Sequence, residues 1–316
     1  MRDTLIRKVS HMALGAAWNG FFRSSYSIST LRRNFDLLAA VPAARLKNKF
    51  PDARFEMDRI EGFPVERIQV GPVPARTILY LHGGAYCMGG IPSYRRFGMR
   101  MAYRWKARVV LLDYPLAPEH PYPAAVECAK RVLTSLIRAE GTEKVVVGGD
   151  SAGGGLTLAV LLALRDAGEQ LPSRAFCLSP WTDLLMTGSS LKTNARRDLW
   201  LSKVDAGVWA DMYAKKSERG HSYISPLYGD FKGLPPLAIL VGEDEVLLDD
   251  AVRVAKSAKA AGVPVTFHVG PQMQHVWPIP LPWLRESKHA MRVLGEFLDS
   301  GSPLSPPSEM RPTARR

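Results

Sequence analysis

Val145-Val146-Val147-Gly148-Gly149-Asp150-Ser151-Ala152-Gly153-Gly154-Gly155 is the stretch from which this chain is best read. Three valines run into a G-x-S-x-G pentapeptide, and Leu156-Thr157-Leu158 then opens a helical pattern. A strand that turns sharply into a helix brings backbone into close approach on both sides of the serine, which residues without a Cβ allow. The turn presents Ser151 at the strand's C-terminal end. The helix that follows aims free N–H groups and its positive dipole end at developing negative charge. This is the pattern of a nucleophile elbow. A glycine-rich turn with an incidental serine would share the pentapeptide, so its neighbours must decide.

Upstream, Ile78-Leu79-Tyr80-Leu81 ends in His82-Gly83-Gly84-Ala85, the kind of loop that offers backbone N–H groups to an oxyanion. Gly83, Gly84 and Ala152 are the expected donors, with His82 supporting the loop. An acid and a base should follow the serine in the order Ser, Asp, His. The run Ala238-Ile239-Leu240-Val241 ends in Gly242-Glu243-Asp244-Glu245, which places Asp244 at a strand's edge as the expected acid. Asp249 and Asp250 sit where a helix should start and read as caps or dipole partners. After the strand 264–269 comes Gly270-Pro271-Gln272-Met273-Gln274-His275-Val276-Trp277, a loop that places His275 as the expected general base. Of the other histidines, His11 and His221 fall in presumed lid regions, His120 in a proline-rich loop and His289 in the final helix. His268 lies within a strand, where a packing role is the simpler account.

At 316 residues, with 46% hydrophobic and 23% charged residues, the chain fits one folded α/β core and neither a disordered nor a disulfide-stapled protein. Cys87, Cys128 and Cys177 are odd in number and lack metal-ligand spacing, which suggests no disulfide framework, no zinc site and a reducing compartment. The apolar stretch 12–18 is too short and interrupted for a membrane span, so no stable membrane insertion and no signal peptide are expected. The formal charge of +12 is spread over scattered basic residues without a nucleic-acid module, so it reads as a solvated surface and no nucleic-acid partner is expected. There is no G-x-G-x-x-G, no phosphate loop and no H-E-x-x-H, hence no expected cofactor or metal.

Residues 1–50 read as a helical lead-in that Pro42 interrupts. Apolar runs at 65–70, 77–82, 109–113, 145–149, 175–179, 237–242 and 264–269 read as strands. Amphipathic stretches at 93–105, 123–139, 152–167 and 249–261 lie between them, and the alternation predicts a mostly parallel sheet covered on both faces. The predicted organisation is a helical cap segment at 1–50, a first catalytic part at 51–183, a cap insertion at 184–228, a second catalytic part at 229–299 and a loose Pro/Arg-rich tail at 300–316.

With these residues in place the chain resembles the bacterial hormone-sensitive-lipase-like esterases, family IV, in the branch whose elbow reads G-D-S-A-G. The likeness covers roughly 60–298. It includes His82-Gly83-Gly84-Ala85-Tyr86, the stretch from Asp113 to His120, the elbow, Ser179-Pro180-Trp181-Thr182-Asp183-Leu184, Asp244-Glu245-Val246-Leu247-Leu248-Asp249 and His275-Val276-Trp277. The resemblance implies an α/β-hydrolase fold, an eight-stranded mostly parallel sheet with helices on both faces and a helical cap forming one wall of the acyl pocket. It further implies a cytoplasmic, metal-free serine carboxylesterase, a homodimer in many members, acting on small esters with short to medium acyl chains. The brevity of the apolar cap segments points to the short end. Lactone, carbamate or small-metabolite N-/O-acetyl hydrolysis would use the same three residues, and a ligand-binding receptor could be built on the same scaffold. Two positions depart from the family pattern. Ala85 replaces the loop's third glycine, which should leave the Gly83 and Gly84 donors intact. Pro115 stands where many members carry arginine, so a salt bridge to the Glu119 region is expected to be missing.

Overall fold

A computed structural model describes residues 2–21, 26–71, 74–201 and 206–300. The seven apolar runs become seven of eight strands in one sheet: β2 (Phe63–Val70), β3 (Arg76–Leu81), β4 (Ala107–Leu112), β5 (Val145–Asp150), β6 (Arg174–Leu178), β7 (Leu237–Gly242) and β8 (Val265–Gly270). The eighth, β1 (Ala53–Ile60), carries no apolar run to mark it in the sequence. Its sequence, ARFEMDRI, is polar and mostly exposed, because it is an edge strand whose only neighbour is β2. Strand order is β1-β2-β4-β3-β5-β6-β7-β8, antiparallel across the first two pairings and parallel from β4 to β8. The central strands β3, β5, β6 and β7 are almost wholly buried, as expected of a parallel sheet covered on both faces.

Three helices precede β1: α1 (Arg2–Phe21), α2 (Ile28–Ala39) and α3 (Ala43–Lys49). The connections between strands carry α4 (Ile91–Trp105), α5 (Ala124–Glu140) and α6 (Ala152–Asp166). Between β6 and β7 the chain forms only short helices, α7 (Ser190–Thr193) and α8 (Ala206–Tyr213), with no strand among the described residues from 184 to 228. Then come α9 (Leu248–Ala260) and α10 (Arg285–Asp299). The predicted tail lies outside the described residues beyond Ser300. Among the described residues no helix is long and apolar enough to cross a membrane. Cys87, Cys128 and Cys177 are unpaired and buried.

Glu119 does have an ion-pair partner, contrary to expectation. Arg32 of α2 meets it at 2.6 and 2.9 Å and also donates to the carbonyl oxygens of Cys87 (2.8 Å) and Ala117 (2.9 Å). An arginine from the N-terminal helices thus partners Glu119, and it also grips the loop that follows His82. The guanidinium holds the Glu119 carboxyl down to about 2.

Candidate active site

All the site residues lie just past the C-terminal ends of parallel strands, where loops of an open α/β sheet can converge. Ser151 follows β5 directly and precedes α6, with φ +51° and ψ −122°. That backbone is strained for a non-glycine residue, and close packing holds it. A Cβ at Gly153 would fall 2.0 Å from the Leu81 carbonyl oxygen, and one at Gly149 would fall 2.3 Å from the Gly153 oxygen. The serine is therefore clasped by backbone that only glycine lets approach.

His275 sits in the turn after β8 and is 5% exposed. Its Nδ1 lies 2.7 Å from Oε2 of Glu245, which has no solvent exposure. Burial opposes the charged imidazole, but the hydrogen bond and negative charge of Glu245 outweigh it and hold the His275 pKa above its ordinary value. Glu245 also accepts hydrogen bonds at Oε1 from the Gly242 N–H and, at 2.8 Å, from the Ser179 hydroxyl.

The carboxylate beside the histidine is therefore Glu245, and the assignment of that role to Asp244 is corrected. Asp244 forms an ion pair with Arg197 and lines a charged cavity of about 400 Å³ with Arg7, Lys8, His11 and Arg197. Its carboxyl is raised, chiefly by partial burial. Adjacent residues in a tight turn present their side chains in different directions, and the turn after Gly242 aims position 245 at the imidazole. Sequence order admits either Asp or Glu as the triad acid, so the only available signal was the second carboxylate one residue on. Asp249 and Asp250 serve as anchors: Asp249 accepts from the Ser190 N–H, and Asp250 from the N–H groups of Thr182 and Asp183. His268 lies within β8, its ring 5.0 Å from that of His289.

The loop after β3 departs from expectation at Gly83. The Gly83 N–H is already committed, at 2.9 Å to the Asp150 carboxylate and 3.1 Å to the Tyr94 hydroxyl. Among the described residues no protein acceptor takes the N–H of Gly84, Ala85 or Ala152. Ala85 has φ +54°, so the loop doubles back at this point. Asp150 is 1% exposed and also accepts from the hydroxyls of Tyr80 (2.8 Å) and Tyr94 (2.9 Å). Burial pushes its carboxyl up to about 6 in spite of these donors. Asp150, the residue before Ser151, thus ties the turn into α6 to the loop after β3. His82 stiffens that loop: its Nδ1 lies 2.7 Å from the Gly83 oxygen, and its ring stacks on Tyr114 at 4.2 Å. Burial lowers the His82 pKa to about 4, so it is neutral near pH 7 and Nδ1 donates.

Close aromatic packing borders this region. Tyr86, next in the loop, stacks on Tyr213 of α8 at 3.8 Å and lies 6.2 Å from Trp181.

A family model described as an α/β hydrolase fold matches residues 78–279. An acetyl-hydrolase of Streptomyces hygroscopicus is 44% identical over 225 residues, covering 71% of this chain and 75% of the relative. An esterase of Acinetobacter venetianus is 32% identical over 300 residues, covering 92% and 99%. Among solved structures, an esterase from the bacterial hormone-sensitive lipase family superimposes with TM-score 0.82 at 36% identity, covering 92% of this chain and 97% of that one. The esterase EstE5, in a crystal soaked with p-nitrophenyl butyrate, gives TM-score 0.83 at 36% identity with the same coverage.

Proposed function

The chain belongs to the bacterial hormone-sensitive-lipase-like carboxylesterases, family IV of the α/β hydrolase fold, and is a carboxylic ester hydrolase, and from that premise we propose that it works through Ser151, His275 and Glu245 on short-chain esters. The observation that carries this reading is the buried 2.7 Å contact between His275 and Glu245 past the C-terminal ends of the strands, the same end of the sheet at which Ser151 sits in a strained turn.

In the proposed reaction His275 Nε2 takes the Ser151 proton as Oγ attacks the ester carbonyl. Glu245 keeps the other proton on Nδ1 and stabilises the imidazolium. The tetrahedral oxyanion receives the amides of Gly84, Ala85 and Ala152, each worth about 2.7 to 4 kcal/mol by analogy with single oxyanion donors. The imidazolium then protonates the departing alcohol, leaving an acyl-enzyme on Ser151. Water, deprotonated by the same histidine, attacks that acyl carbonyl, and Ser151 leaves with its proton restored.

The close aromatic packing of Tyr86, Tyr213 and Trp181 favours a short acyl chain. So do two similar proteins, one named an acetyl-hydrolase and the other seen in a crystal soaked with p-nitrophenyl butyrate. The unpaired cysteines fit a cytoplasmic setting for this activity. The test is a p-nitrophenyl series from acetate to palmitate, run with wild type and Ser151→Ala. The expected result is a maximum at acetate or butyrate and no turnover by the folded mutant. A maximum at palmitate sinks the chain-length reading, and turnover by Ser151→Ala sinks the nucleophile. Faster opening of a lactone, or faster deacetylation of an amine, than of any ester would redirect the substrate class.

A further inference from the structure

We propose that Ser179 is a positioning residue for catalysis: one hydroxyl that sets both the rotamer of the Glu245 carboxylate and the backbone of the loop carrying His275. This rests on the triad proposed above. Ser179 is the first residue after β6, wholly buried, with φ +47°. Its N–H donates to the Leu240 oxygen at 2.6 Å, which draws it toward β7. Its Oγ lies 2.8 Å from Glu245 Oε1 and 3.0 Å from the Val276 nitrogen.

A hydroxyl has one proton to give and two lone pairs with which to accept. The Val276 N–H can only donate, so the Ser179 proton must go to Glu245. This hydroxyl and the Gly242 N–H both occupy Oε1, which leaves Oε2 for His275. Val276 has φ +46°, a genuine outlier for a β-branched residue, so a turn next to the imidazole is held against its own preference by this hydrogen bond. A glutamate has one more rotatable bond than an aspartate and so needs such an anchor more.

The neighbours of Ser179 reach the nucleophile. The Leu178 oxygen accepts from the Ser151 N–H at 2.9 Å, and the Trp181 N–H donates to the Ser151 oxygen at 2.9 Å. The four residues from Leu178 to Trp181 therefore tie the elbow to the acid and base loops.

The experiment compares Ser179→Ala, Ser179→Cys, Glu245→Gln and the double variant Ser179→Ala/Glu245→Gln on p-nitrophenyl butyrate. Ser179→Ala should lower kcat about 10- to 100-fold, by analogy with the loss seen when hydrogen-bond partners of metal-ligating side chains are removed. KM should stay within about twofold. In the Glu245→Gln background the same alanine should cost less than about threefold, because a residue acting through Glu245 has little left to position. Ser179→Cys, nearly the same size but a weak donor, should fall between wild type and alanine, and its melting curve separates misfolding from mispositioning. If Ser179→Ala keeps wild-type kcat, or loses the same factor with and without Glu245, the proposal is overturned. Should the alanine variant fail to fold, a fully active cysteine variant overturns it instead. If Glu245→Gln is itself as fast as wild type, the triad is at fault, whatever Ser179 does.

Discussion

Glu245 and Asp244 are neighbours in sequence with opposite employment, and charge removal at each tells them apart. Glu245→Gln keeps the shape but removes the charge facing His275, and should lower kcat by about 10⁴-fold, the scale of amide replacement of a triad acid elsewhere. Asp244→Asn breaks only the pairing with Arg197 and should stay within a few-fold of wild type. The pH profile adds a second check. The proposed reaction needs neutral His275, whose pKa Glu245 holds above the ordinary value of 6.5. The acid limb of kcat/KM should therefore rise through an apparent pKa above 6.5 in wild type and move to lower pH in Glu245→Gln. The linked stability has the sign of a raised histidine: present below the unfolded pKa and lost as pH rises through the folded one. A wild-type limb below 6.5 would contradict the contact.

Element by element, α2 and the segment after α7 are fastened to the loops of the candidate site by polar side chains. From α2, Arg32 grips the carbonyls of Cys87 and Ala117 along with Glu119. Beyond α7, the Asn194 side chain donates to the carbonyls of Glu243 (3.0 Å) and Glu245 (2.9 Å), and Asp198 accepts from the Val246 N–H at 2.9 Å. The ion pair of Arg32 is half exposed and counts for little by itself. Its bonds to carbonyls are more sheltered and should matter more. Arg32→Met is expected to lower Tm by a few degrees, each 1 kcal/mol lost shifting it about 2 to 4 °C in a domain of this size. It should also raise KM by loosening the loop that holds Gly84 and Ala85. Arg32→Lys keeps the charge but cannot span three acceptors, so it should behave more like methionine than like wild type. Melting curves and Michaelis plots decide this.

At the level of the whole molecule, burial is uneven. The strands β3, β5, β6 and β7 are nearly wholly buried, whereas β1 alternates poorly and α1 exposes Ile6, Val9 and Met12. Regions with few buried contacts open at lower free energy than the core. Native-state hydrogen exchange should find the slowest amides in those four central strands and much faster ones in α1 and β1. Equal protection across all of them would contradict this gradient. Ser151 and the tyrosine-bound Asp150 stand on the protected side of it, which suits a site that depends on fixed geometry.

Sequence alone determined the alternating α/β order and marked Ser151, His275 and the His82 loop as candidates, because each rests on a local pattern: an apolar run, a break, then a residue at the break. Polar β1 escaped that reading, since an exposed edge strand lacks the apolar run that marks its buried neighbours. Tertiary structure decided what depends on groups distant in the chain. Gly83 lost its place as a donor because Asp150, far along the sequence, takes its N–H. Arg32 restored a partner to Glu119 from a helix that no motif connects to it. Whether position 244 or 245 faces the imidazole turned on one hydrogen bond from Gly242 and another from Ser179, and such directions exist only once the strands stand side by side.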